Sequence, residues 1–188
     1  MAISLDYKPA DLVADLRRIA AETKDPLEIV QLVRAPARRL ALAKGWLTPE
    51  HFKCDPKDGF SLHLLHEEPD HGLAVFAASW LPGRGITPHN HGTWAVVTGM
   101  VGRETNVFWR RTDDGTRPGH ATLVETGRTV FGPGETVHFM PDDIHSVRNE
   151  TGEVTVSLHI YGRHINHTHR SKFDPAAERE EPFVLAVD

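Results

Sequence analysis

Cysteine is nearly absent. A single thiol, Cys54, stands among 188 residues, which excludes an intrachain disulfide framework. Basic residues are outnumbered, 21 Lys and Arg against 26 Asp and Glu with a formal charge of −5, so the chain offers no electropositive footprint for nucleic acid or an anionic membrane. No apolar run approaches the ~20 residues that cross a bilayer. The opening Met-Ala-Ile-Ser-Leu-Asp has neither the basic nor the apolar region of a secretory leader. These absences lead us to expect a cytoplasmic protein in a reducing compartment. Its expected partners are small molecules, with neither nucleic acid nor membrane among them, and the oligomeric state stays open.

Apolar content is ample, at 39 %, enough for a core in one domain covering 1–188. Leu12, Val13, Leu16, Ile19 and Ala20 recur with helical period. Asp25-Pro26 interrupts the pattern before a second helical stretch from Leu27 to Lys44, giving a helical lead over about 1–50. From Phe60 the runs become short and β-rich: Ser61 to His66, Leu73 to Trp80, Trp94 to Val97, Glu104 to Trp109, Val137 to Met140 and Val154 to Tyr161. Turn clusters such as Asp113-Asp114-Gly115 and Thr151-Gly152 punctuate them, the pattern of a β-barrel or double sheet, here over 60–165. The helices are expected to pack outside it. A charged tail, 166–188, ends in apolar Phe183 to Val187, placed as a final strand or at an interface.

Histidine is the residue in plenty, with 13 copies. His89 and His91 follow the turn Pro82-Gly83-Arg84-Gly85, and His145 follows Gly132-Pro133-Gly134. Residues i and i+2 of a strand share a face, so His89 and His91 are candidates to chelate one ion, with His145 arriving from another strand. Three neutral nitrogens leave a divalent metal its full charge and open positions for substrate. Ser157, His159 and Tyr161 alternate along an apolar run. Inside a barrel such a polar row must satisfy its own hydrogen bonds.

These residues resemble the cupin superfamily. Gly85, His89, His91 and Gly102 match its first motif, and Gly134, Pro141, His145 and Asn149 its second. The glutamate ligand of the first motif is missing, with Ala95 and Val96 in its neighbourhood. That loss, together with the Ser-x-His-x-Tyr row, is similar to the thiol dioxygenases, which include cysteine dioxygenase and 3-mercaptopropionate dioxygenase. The resemblance implies a mainly β fold, a double-stranded β-helix or jelly-roll barrel. It also implies iron(II) on His89, His91 and His145, with Ser157, His159 and Tyr161 aiming a phenol at the metal. The implied reaction adds both atoms of O2 to the sulfur of a small carboxylated thiol. No cysteine lies between His91 and Tyr161, so a cysteine–tyrosine cross-link is not expected, as in the bacterial members.

Substrate contacts are the open part. The arginine or glutamine that such enzymes carry on an early strand has no counterpart in Ser61 to His66, which offers His63 and His66 instead. These two cannot both face inward in a regular strand. Arg170 resembles an arginine found after the triad in bacterial members, and its fork suits a carboxylate. Trp94 is a candidate pocket wall or core residue, and His138 an interior residue that is not a ligand. The row His164, His167 and His169 is either a solvated loop or a second metal site. The rival functions are a three-histidine dioxygenase that cleaves a C–C bond and a non-enzymatic metal-binding sensor.

Overall fold

The computed structural model describes residues 6–185 and 187. Helices α1 (Pro9–Glu22) and α2 (Pro26–Leu42) each begin on proline, where the missing N–H would be unpaired in any case. The Asp25 carboxylate caps α2 by accepting from the Leu27 amide at 3.0 Å. Leu12, Leu16 and Ile19 of α1 and Val30, Val33 and Leu40 of α2 form buried stripes. They pack as one cluster against Val75, Ala77, Val96, Leu158 and Ile160 of a β-sheet.

Eleven strands lie among the described residues: β1 (Phe60–Glu67), β2 (Ala74–Trp80), β3 (Gly85–His89), β4 (Ala95–Val101), β5 (Glu104–Arg111), β6 (Leu123–Phe131), β7 (Thr136–Phe139), β8 (Ile144–Arg148), β9 (Thr155–Tyr161), β10 (Ser171–Asp174) and β11 (Arg179–Pro182). One sheet has the order β1-β2-β9-β4-β7 and the other β11-β10-β3-β8-β5-β6. All the ladders between these strands are antiparallel, and they nest: β2 pairs with β9, β3 with β8, β4 with β7 and β5 with β6. Nested pairing means that a two-stranded ribbon has been wound around a common core, which is the jelly-roll, or double-stranded β-helix. The fold is mainly β, with both helices laid on the outside of the first sheet, as the sequence leads one to expect.

A second cluster fills the barrel. Leu62, Phe76, Ala78, Trp80, Ala95, Val97, Phe131, Phe139, Val147 and Tyr161 meet there. The six runs read from the sequence coincide with β1, β2, β4, β5, β7 and β9. Strand β6 was not among them because its exposed stretch, Glu125 to Arg128, lacks apolar alternation. Among the described residues of the apolar tail end, 183–185 and 187, none lies in a strand. Strand β11 stops at Pro182, and Phe183 turns inward and is buried.

Candidate metal centre

The three imidazoles converge through a defect in β3, not through a regular strand. Ile86 pairs with Val147 and His89 with His145, so three steps on β3 are matched by two on β8 and a bulge lies between. Ile86 and Val147 face the barrel core. The bulge re-aims His89 to that same face, and it accommodates Pro88, which a regular central ladder would not. His91 lies beyond the strand, which corrects the expectation that strand alternation pairs it with His89. Its loop is fixed by Thr168 Oγ1 donating to the His91 carbonyl at 2.8 Å, the Gly92 amide donating to Pro141 O at 3.0 Å and the Ser171 amide donating to Asn90 Oδ1 at 2.7 Å.

His89, His91 and His145 are buried, and their ligand nitrogens lie within 4.8 Å of one another. The Nε2 atoms of His91 and His145 are 3.2 Å apart, inside the ~2.9–3.4 Å spacing of two nitrogens bound to one ion at ~2.0–2.1 Å. His89 Nδ1 donates to Thr87 O at 3.0 Å, and His145 Nδ1 donates to Asn106 Oδ1 at 2.6 Å. These bonds fix the tautomers that leave Nε2 for a metal. Burial, reinforced by the Arg170 charge, lowers the His89 pKa to about 3. Burial and the neighbouring imidazoles hold His91 and His145 well below the usual histidine range. All three are therefore neutral, as metal ligation requires, and the set fits a divalent ion. Ala95, near the position where the first motif places glutamate, is fully buried and pairs with Tyr161. No carboxylate belongs to this ligand group among the described residues.

Ser157, His159 and Tyr161 face the barrel interior, paired with Gly99, Val97 and Ala95 of β4. Gly99 is obligatory there, because a Cβ would sit 2.3 Å from the Gly132 carbonyl. Tyr161 OH lies 2.9 Å from His159 Nδ1, and His159 Nε2 lies 3.0 Å from Ser157 Oγ. Burial lowers the His159 pKa to about 3 and raises that of Tyr161. The tyrosine ring centroid is 5.3 Å from that of His91.

The row continues into a residue that motif matching passed over. Glu104 Oε2 is 3.0 Å from Ser157 Oγ, and burial raises this carboxyl to about pH 8. Glu104 and Asn106 alternate on β5, so one side of that strand serves both Ser157 and His145. Two polar residues at i and i+2 within a strand that enters the core were the available signal.

Arg170 is buried, with its guanidinium 4.3 Å above the Phe183 ring and its Nε donating to Phe183 O at 3.1 Å. Its Nη2 has no hydrogen-bond partner among the described residues. Burial lowers its pKa to about 10, and its charge acts on His89, His91 and Tyr161. Phe183 also packs on His89, with ring centroids 5.5 Å apart.

The other candidates for substrate contact lie elsewhere. A bulge between Leu64 and His66 sets His63 opposite Ala77 and His66 opposite Val75. Both therefore share the outer, helix-covered face of the first sheet. His63 is 3.2 Å from Ser79 Oγ, and His66 is 3.1 Å from Glu68. Trp94 packs with the helix cluster, and His138 is exposed opposite Val96, outside the barrel. Cys54 sits on that outer side, near Ser79.

No family model matches the chain. Solved structures with partial likeness include oxalate oxidase in complex with the substrate analogue glycolate, at 17 % identity over 63 % of this chain and 59 % of that one, TM-score 0.47. A Cupin_2 domain of an XRE family transcriptional regulator from Enterobacter cloacae has 18 % identity over 55 % of this chain and 95 % of that one, TM-score 0.39. Oxalate decarboxylase from Bacillus subtilis has 20 % identity over 54 % of this chain and 23 % of that one, TM-score 0.40. The matched part spans less than two thirds of the oxalate oxidase chain. Likeness this partial carries nothing about metal or substrate.

Proposed function

We propose that the chain is a non-haem iron(II) thiol dioxygenase that converts a small carboxylated thiol and O2 into the sulfinate, RSH + O2 giving RSO2H. The observation that carries this reading is the buried hydrogen-bonded row from Glu104 through Ser157 and His159 to Tyr161. It ends beside a neutral three-imidazole set that contains no carboxylate. Iron(II) held there by His89, His91 and His145 would supply positions for the thiolate and for dioxygen.

The protein's own groups bind and orient. The Nη2 of Arg170, unpaired among the described residues, is suited to a substrate carboxylate, because a buried N–H left without an acceptor is costly. This favours 3-mercaptopropionate, cysteine or a related mercapto acid. Tyr161 holds a proton at its hydroxyl, and the row sets where that proton points. With Glu104 ionised, Ser157 donates to it and accepts from His159 Nε2–H, and His159 Nδ1 then takes the phenolic hydrogen bond. With Glu104 protonated every bond reverses, and the Tyr161 O–H is free to donate to substrate. The raised pKa of Glu104 favours the second arrangement at neutral pH.

The test is oxygen uptake by iron(II)-loaded protein with cysteine, 3-mercaptopropionate, mercaptosuccinate, cysteamine and a thiol-free diketone. Uptake with a carboxylated thiol, matched by equimolar sulfinate, is expected. Tyr161→Phe should retain iron and lose about 10²-fold in turnover, the scale of a positioned proton donor. Uptake with the diketone alone, or none while iron stays bound, would discard the proposal.

A further inference from the structure

We propose that Glu67, His164 and His167 form a second site, for a divalent transition ion of the zinc type, separate from the three-imidazole centre. The proposal does not depend on the dioxygenase reading. The ligand atoms of the three residues lie within 4.8 Å of one another. Glu67 ends β1, whereas His164 precedes and His167 ends a short 3-10 turn after β9. A histidine row is visible in the sequence, but the fold replaces its third member, exposed His169, with a carboxylate from another strand.

Each ligand is held by a different contact before any ion arrives. The His164 ring is buried and held by the Asn166 amide, which donates to its Nδ1 at 3.1 Å. The ring proton is then on Nε2, and an ion taking that nitrogen moves the proton to Nδ1 at the expense of this bond. His167 is exposed, yet its ring stacks on His71 with centroids 3.6 Å apart and planes 7° from parallel. His71 Nδ1 also bonds the Glu67 carboxylate at 2.5 Å, the outer support that metal-binding carboxylates commonly have. The His164 amide donates to His71 O at 2.9 Å and locks the two loops together. Glu68, next in sequence, is paired with Arg17 at 2.6 Å, whereas the ion-pair partner of Glu67 among the described residues is His71. Two imidazoles and one carboxylate make a donor set suited to zinc, with a fourth position left for solvent.

The site adjoins the first. Phe76 stands between them, 5.3 Å from His164 and 5.9 Å from Tyr161 by ring centroids. An ion here would fasten the β1–β2 turn to the segment that follows Tyr161.

Anaerobic titration of the full chain with Co2+, counting bound ions and following the visible absorption of each, tests the proposal. Two ions per chain are expected in the wild type. In Glu67→Gln and in His167→Ala, whose ring is exposed and dispensable for folding, the second ion should bind at least tenfold more weakly while the first is retained. One ion per chain in the wild type, or a second ion of unchanged affinity in both variants, overturns it.

Discussion

At the scale of single residues, Glu104 decides the most. Its folded pKa of about 8 lies above the ordinary carboxyl value of 4.5, so the native state holds a proton that the unfolded chain releases. That contribution to stability is complete below about pH 4.5 and is lost as pH rises to about 8. Glu104→Gln, which carries no titrating proton, should flatten the fall in Tm between pH 5 and 9. It should also retain turnover above pH 8, where the wild type declines, because its amide still donates to Ser157. Equal pH profiles for the two proteins would remove Glu104 from the row. Arg170→Ala should raise KM for a carboxylated thiol by about tenfold or more, the loss of a charged hydrogen bond, and leave KM for cysteamine little changed. The three histidines and the Ser157, His159 and Tyr161 row were legible because their spacing is local. Glu104 was not, since its partner Ser157 is 53 residues away. Nor could spacing show that His63 and His66 face the helices.

At the scale of elements, irregularity does the positioning. The sequence shows Pro88 beside His89, and a proline reads against a strand. Only the pairing with β8 reveals a bulge that uses it. Likewise the bulge in β1 undoes the alternation that would separate His63 from His66. The loop carrying His91 turns on Gly92, at φ +64° with Thr168 Cβ 3.0 Å from where a Cβ would stand. Gly92→Ala should cost about 1–2 kcal/mol from the left-handed backbone, a fall of roughly 2–8 °C in Tm. Because the same loop presents His91, metal affinity should weaken in the same variant. Unchanged affinity alongside lowered Tm would show that the loop and its ligand are independent.

For the whole molecule, strand and helix periodicity carried the class of fold, because the two helices and the strands of the first sheet bury a face against the helix-side cluster or the barrel cluster. The order of strands within the sheets was not readable, since pairing partners are far apart in the chain. The metal centre joins those sheets. Its ligands come from β3, β8 and the loop before β4, and Tyr161 comes from the opposite sheet. An ion that binds only this assembled state stabilises it by about 2.7 kcal/mol at a hundredfold excess over Kd. Ferrous ion should therefore raise Tm by roughly 5–10 °C, and His145→Ala should abolish most of that shift. A shift that survives the substitution would place the stabilising ion elsewhere.

The nested ribbon also sets an order of events in time. His91 and His145, 54 residues apart, meet only after β3 and β8 have paired, and closing so long a loop precedes any reward from the contact. Folding is thus a slow search that the ion cannot guide, because its binding pocket does not exist until the search is over. Metal should leave the refolding rate nearly untouched and act on the reverse step, lengthening the lifetime of the closed barrel.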